Sequence, residues 1–202
     1  MTSAPLGLIL AGGQGRRLGG LDKALVRLGT ETLLARAERR LAPQVRGMAV
    51  SANGDPARLG TSLPVLPDAL RGFAGPLAGV LAGLDHAAER GAGSLVTVAV
   101  DTPFFPDNLV ARLLASGAPL AVAATADEGG RLRWHGTFAL WPVAARTALR
   151  AALDRGERKV SAVAGALGAV AVAFDAPAPD PFFNINTPAD LAEAQRMLAE
   201  DR

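Results

Sequence analysis

Short apolar runs, each about the length of one strand, alternate along this chain with stretches whose apolar residues recur every three or four positions. That alternation is the signature of βαβ units, and it commits the chain to an α/β fold with a mostly parallel sheet and helices on both faces. Strands are expected at residues 6–10, 46–51, 63–66, 94–100, 120–124, 137–141 and 169–174. Between them, Leu77, Val80, Leu81, Leu84 and Ala88 follow Gly75 and Pro76 at helical spacing, as Ala145, Ala148, Leu149, Ala152 and Leu153 follow Pro142. Both stripes read as core faces. A last helix begins in "NTPADLAEAQRML", with Thr187 as N-cap, Pro188 at its first position and Asp190 in its first turn. "DAPAPDP" reads as a stiff turn that delivers the chain to Phe182, Phe183 and Asn184. With no internal repeat and 202 residues, half of them apolar, the chain can bury a core as one domain, residues 1–202.

Composition removes several classes of function. The net charge is only +2 and aromatics are sparse, so nucleic acid is not an expected partner. There is no cysteine for a disulfide or a thiolate, and the two histidines stand alone in their segments, which argues against zinc. "MTSAPLGLILAGG" lacks a basic leader and its apolar run is far too short for a membrane span, so a soluble, cytoplasmic protein is expected. His86, in a helical stripe, and His135, placed just ahead of a strand, read as structural. At least one of Trp134 and Trp141 is expected in the core or an interface, and "RAERR" at residues 36–40 reads as a solvated face. Of 21 basic residues only Lys23 and Lys159 are lysines, which draws attention to both.

Lys23 closes "LAGGQGRRLGGLDKAL", residues 10–25. Glycines after a first strand let backbone N–H groups approach an anion. Two familiar phosphate loops fail here. Lys23 lies between Asp22 and Ala24, not in the Gly-Lys-Ser/Thr of a Walker A loop, and Leu18 stands where a dinucleotide fingerprint needs its third glycine. What remains is a long loop in which Gly12, Gly13 and Gly15 expose amides while Arg16, Arg17 and Lys23 add positive charge, a combination suited to a polyphosphate. The plainer alternative is a glycine loop with two solvated arginines. A second signal is "VTVAVDTPFF", where an apolar strand ends at Asp101 and Pro103 stops its continuation. A carboxylate at the carboxyl edge of such a sheet can hold Mg²⁺, which takes one or two protein carboxylates together with substrate phosphates; an Asp-Thr-Pro turn cap is the alternative.

Seven blocks in order, "LAGGQGRRLGGLDKAL", "SANGD", "LPDALRGFAGPLAGVLAGL", "VDTPFFP", "GTFALW", "GERKV" and "NINTPADL", resemble those of the molybdenum cofactor guanylyltransferases, a family of Rossmann-like, three-layer nucleotidyltransferases. The resemblance runs nearly end to end. It implies that a GMP moiety passes from GTP to molybdopterin or Mo-molybdopterin with release of pyrophosphate, with Mg²⁺ as cofactor. It implies a GTP site of Leu10, Ala11, Gly12, Gly13, Lys23, Ser51, Asn53, Asp68 and Asp101, with Asp101 as metal ligand and Arg17, Lys23 and Asp101 as catalytic residues. For the pterin it points to Arg17, Arg158, Asn184 and Asn186; the GTP part would cover about residues 1–105 and the acceptor part about 106–202. Molybdenum-insertion and molybdoenzyme-maturation proteins are the partners it suggests.

An arginine can grip phosphate bidentately, and asparagine amides match a pterin's mixed edge. Because a phosphate monoester is largely ionised near neutral pH, with a second pKa of about 6, attack on GTP needs no general base. "NINTP" also reads as an ordinary turn into a capped helix. Gly136 stands where family members commonly carry proline, which is expected to loosen a turn there. Two further readings stay open: a cytidylyltransferase of the same fold, and a noncatalytic pterin carrier.

Overall fold

The computed structural model describes residues 4–12, 22–68, 75–175 and 180–200. In chain order the elements are β1 (Leu6–Leu10), β2 (Arg27–Leu28), β3 (Glu31–Thr32), α1 (Leu33–Leu41), β4 (Met48–Ser51), β5 (Val65–Leu66), α2 (Pro76–Glu89), β6 (Ser94–Ala99), α3 (Leu109–Ala115), β7 (Ala121–Ala126), β8 (Leu132–Pro142), α4 (Arg146–Asp154), α5 (Val160–Ala166), β9 (Val170–Phe174) and α6 (Pro188–Glu200). Seven strands form one sheet in the order β5-β4-β1-β6-β8-β7-β9. β8 runs antiparallel to both its neighbours, and every other pairing in that sheet is parallel.

β1 is apolar throughout because both its faces are covered, as a central parallel strand requires. Leu6, Leu8 and Leu10 pack into a core shared with α2, α4 and α5, while Ile9 packs into the opposite core with α1, α3 and α6. This is the expected three-layer arrangement. Helix α2 lies unusually close to the sheet: a Cβ on Gly79 would stand 2.3 Å from Ser51 Oγ, and one on Gly83 would stand 2.6 Å from Leu8 Cδ2. Two glycines one turn apart therefore set the gap between α2 and the strand ends that carry the site.

Six of the seven expected strands appear with ends shifted by no more than two residues; β5 keeps only the last half of its run. The exception is residues 137–141, which belong to the eleven-residue β8. Its leading residues, Leu132 and Arg133, are exposed and carry no apolar alternation, so the pattern concealed them. His135 thus lies inside the strand rather than before it. The β2–β3 hairpin turns at Gly29, with φ 63°, and is too short to produce a period. Thr187 caps α6 as expected, accepting from the Asp190 amide. Trp141 is fully buried and donates to Thr97. In the helical stripes Ala88 is only half-buried and Ala148 is exposed.

Residues 36–40 overturn the solvated-face reading. Arg39 is exposed, but Arg36 is only 5% exposed, because it shares with Leu33, Ala37 and Leu41 the side of α1 that faces the protein. Among the described residues no helix is long and apolar enough to cross a membrane.

Candidate active site

Three parallel strands bring their carboxyl ends together. Leu10 lies beside Ser51 on one side and Ala99 on the other, and the ladder continues past the strands through Ala11 N to Ser51 O at 2.9 Å and Val100 N to Leu10 O at 3.1 Å. Leu10, Ala11, Gly12, Ser51, Asn53 and Asp101 therefore occupy one edge. Gly13 and Arg17, both expected in the site, lie outside the described residues.

Lys23 reaches that edge from a single 3₁₀ turn, Lys23–Leu25, whose amide at Ala24 is capped by Asp22. Asp22 is itself held by Arg58 at 2.9 Å. The Lys23 ammonium donates to Asp101 Oδ2 at 2.8 Å and to Asn186 Oδ1 at 2.6 Å. Both charged side chains are mostly shielded, with Lys23 17% and Asp101 23% exposed. The resemblance assigns Asn186 to the pterin site, yet here it shares the lysine with the carboxylate.

The segment 184–186 is tied to the end of β6 along its length. Ile185 N donates to Asp101 O at 2.8 Å, the Thr102 hydroxyl donates to Asn184, and Asp190 accepts from the amides of Asn186 and Thr187. Those two amides, Asn186 first, hold the Asp190 carboxyl below its ordinary value. On the other flank, Asn53 Nδ2 donates to Asp68 at 2.7 Å while Asp68 N donates back to Asn53 Oδ1 at 2.9 Å. This reciprocal clasp joins the two loops after β4 and β5.

A polar cleft of about 270 Å³ opens beside this edge, lined among others by Trp134, His135, Gly136, Lys159, Ser161 and Asn184. A bulge shapes it. β7 pairs Val122 with Ala139 but Ala124 with Trp134, so four residues of β8 face Ala123 alone. Bulges commonly re-aim side chains next to sites. Gly136 does not loosen a turn: a Cβ there would meet Val160 Cβ at 3.1 Å and Ser161 N at 3.2 Å, so its bareness lets α5 press against β8. Arg158 sits on the exposed turn before α5 and donates to the Glu157 carbonyl, while its neighbour Lys159 lines the cleft. The scarcity of lysine draws attention to this residue in the sequence, though it assigns it no site.

His135 is buried, hydrogen-bonded to Thr125 at 2.9 Å and stacked on Phe182 with ring centroids 4.1 Å apart. Burial, then the nearby Arg133, pushes its imidazole down to about 4. His86, in the last turn of α2, is also lowered, first by burial and then by Arg90. Both fit structural roles.

Convergent strand ends carry a shielded lysine–carboxylate pair beside a polar cleft in a three-layer sheet, and the class of protein built this way is shown by its relatives to be the nucleotidyltransferases. Residues 7–190 match the family model described as a MobA-like NTP transferase domain. A molybdenum cofactor guanylyltransferase of Rhodobacter capsulatus is 51% identical over 196 residues, covering 96% of this chain and 97% of the relative. The chain belongs to the molybdenum cofactor guanylyltransferase family. Among solved structures it is similar to molybdopterin-guanine dinucleotide biosynthesis protein A from Archaeoglobus fulgidus, with TM-score 0.72, 24% identity, and coverage of 96% of this chain and 99% of that one. It also shares its fold with 2-C-methyl-D-erythritol 4-phosphate cytidylyltransferase from Thermus thermophilus, with TM-score 0.69, 23% identity, and coverage of 98% and 100%.

Proposed function

We propose that this protein transfers GMP from GTP to Mo-molybdopterin, forming the guanine dinucleotide cofactor. The observation that carries this reading is the Lys23–Asp101–Asn186 constellation at the converging strand ends, in a chain half identical to a guanylyltransferase. An oxygen of the acceptor's phosphate attacks the α-phosphorus of GTP. The bond from that phosphorus to the β-phosphate bridging oxygen breaks, and pyrophosphate leaves. The acceptor phosphate is already largely ionised, its second pKa being about 6, so no protein base is required.

Asp101 has room for a cation. Its Oδ2 accepts from Lys23, while among the described residues Oδ1 has only a long contact, 3.4 Å, from the Thr102 hydroxyl. A single carboxylate beside phosphates suits Mg²⁺, whose remaining ligands come from substrate oxygens and water. When bound, Mg²⁺ would neutralise phosphate charge and favour attack. Lys23 supplies a fixed cation at the same point, and Arg17 is assigned a second. Gly12 begins the phosphate loop, and among the described residues a Cβ placed on it meets nothing within 4 Å, which leaves space for the nucleotide against the backbone. Leu10, Ala11, Gly13, Ser51 and the Asn53–Asp68 clasp complete the GTP site, within about residues 1–105.

The acceptor is assigned to about residues 106–202. Asn186 touches Lys23 and Asn184 lines the cleft, so two side chains one residue apart on one segment link the phosphates to the pocket. We place the pterin in that cleft, with Trp134 offering a flat face, Lys159 and Arg158 cations, and Ser161 and Asn184 hydrogen bonds. The reaction is placed in the cytoplasm, with molybdenum-insertion and molybdoenzyme-maturation proteins as suppliers and recipients.

The test is to incubate the protein with Mg²⁺, Mo-molybdopterin and each nucleoside triphosphate, and to identify the products by mass. A guanylyl adduct with pyrophosphate is expected. A cytidylyl adduct alone would move the assignment to the sibling transferases, and binding without any adduct would make the protein a carrier.

A further inference from the structure

The loop after Asp101 has its carbonyls taken by one face of α1. Arg36 Nε donates to Pro103 O at 3.0 Å, and its guanidinium carbon lies 5.1 Å from the centre of the Phe104 ring. One turn on, Arg40 donates to Phe105 O through Nε at 2.9 Å and Nη2 at 2.6 Å. A turn further, Gln44 Nε2 reaches Pro106 O at 3.4 Å while Gln44 Oε1 accepts from Val110 N at 3.0 Å. Residues 36, 40 and 44 thus form a ladder at a spacing of four that engages the carbonyls of residues 103 to 106, with Phe104 O reached by Arg40 Nη2 at 3.5 Å. Pro103 and Pro106 lack amides, so two positions of this loop cannot donate to a backbone partner, and among the described residues Leu109 N bonds back only to Pro106 O, at 3.1 Å.

On its far side the same loop is held by segment 184–186, through Ile185 N on Asp101 O and Thr102 on Asn184. The carboxylate of Asp101 therefore stands on a short strap with both sides fixed. A planar guanidinium forms charge-assisted bonds of defined direction, and Arg36 is itself oriented by Glu31 at 3.0 Å. We infer that Arg36 and Arg40 are positioning residues for Asp101: through the carbonyls of Pro103 and Phe105 they set where its carboxylate meets the metal. This rests on the proposed metal role of Asp101.

Electrostatics and positioning predict opposite signs. Removing a nearby positive charge should by itself tighten binding of a divalent cation. Loss of position should loosen it. Groups that orient a metal ligand typically contribute 10- to 100-fold in affinity, so Arg36→Met is expected to weaken metal binding about tenfold.

The experiment measures Mn²⁺ binding to the full-length protein with a nonhydrolysable GTP analogue, by electron paramagnetic resonance. Affinity for the analogue without metal is measured in parallel, and circular dichroism checks folding. Wild type, Asp101→Asn, Arg36→Met, Arg36→Lys, Arg40→Gln and Arg39→Met are compared. Arg39 is the control for charge on α1: its side chain is 58% exposed and pairs with Glu31 of β3, so its loss removes a positive charge while leaving the Arg36 and Arg40 bonds to the loop carbonyls in place. The expected result is loss of Mn²⁺ binding in Asp101→Asn, about tenfold weakening in Arg36→Met with partial recovery in Arg36→Lys, a smaller weakening in Arg40→Gln, and no weakening in Arg39→Met. Metal-free analogue affinity should stay within twofold throughout the arginine series. If Asp101→Asn binds Mn²⁺ normally, the metal assignment itself falls. If Asp101→Asn fails to bind while folded Arg36→Met and Arg40→Gln bind as tightly as wild type or tighter, the positioning inference falls alone. Should Arg36→Met not fold, Arg40→Gln decides by the same readout.

Discussion

The edge formed by β1, β4 and β6 and the wall formed by β8 and α5 are built in opposite ways. At the first, side chains stand where parallel strands stop, and loops carry them onto a common line. At the second, they come from the body of one long reversed strand and the start of a helix pressed against it. β6 pairs with β8 as far as Thr97 and Ala139, so residues 132–136 run on beyond that pairing, and residues 133–136 line the cleft with Asn184, the residue bonded to Thr102 next to Asp101. The difference teaches that a parallel sheet presents a charged site at its strand ends, whereas a reversed strand can add a wall at the same edge without another crossover.

The largest expected effect attacks the strand-end edge. Asp101→Asn keeps the shape and removes the charge, so single-turnover rates at saturating Mg²⁺ should fall by about 10²- to 10³-fold with an unchanged circular dichroism spectrum. Near-normal turnover would remove Asp101 from the chemistry and erase the contrast between edge and wall.

The two lysines sharpen it. Lys23→Ala should lower kcat about 100-fold, because its ammonium sits on the developing phosphate charge. Lys159→Ala should act mainly on the acceptor's KM, with Arg158 beside it partly compensating. Equal tolerance at both positions would undo the division between the two regions.

Two glycine substitutions separate them by mechanism. Gly136→Ala must push Val160 and Ser161 by a few tenths of an ångström, so it should cost about 1 kcal/mol or more of stability and raise the acceptor's KM. Gly12→Ala meets none of the described residues and should leave the melting temperature unchanged, yet weaken GTP use because its methyl group intrudes on the bound nucleotide. Urea titration and steady-state kinetics on both variants give the comparison.

The smallest effect concerns pH. His135 resists protonation when folded, down to about 4 against an ordinary 6.5, so between those values the unfolded chain binds more protons. Its stabilising contribution is complete above about pH 6.5 and is lost as pH falls toward about 4. Urea midpoints at pH 7 and pH 5 should differ more for wild type than for His135→Gln.

Much of the strand-end edge is readable in the sequence. Apolar runs mark β1, β4 and β6, and glycines, Lys23 and Asp101 mark where they stop. The wall is harder to see. Leu132 and Arg133 face solvent, so half of β8 has no alternation, and the bulge opposite Ala123 is a matter of strand register that one strand's sequence does not encode. Arg36 is concealed for a related reason. A charge run looks solvated, and what buries Arg36 is a proline-flanked loop 67 positions away that offers carbonyls in place of water. Resemblance finds Asn186 as a site residue, and its bond to Lys23, 163 positions away, is what the sequence alone does not display.

The reversal of β8 also bears on motion. It pairs directly with β6, so the region assigned to GTP and the region assigned to the acceptor are stitched by one continuous hydrogen-bonded ladder, not joined by a linker. Swinging one against the other would break that ladder at Leu95 and Trp141, deep in the core. Hinge closure of the kind that shuts many two-lobed enzymes is therefore denied to this architecture. The substrates must be aligned by what the edge already holds in place.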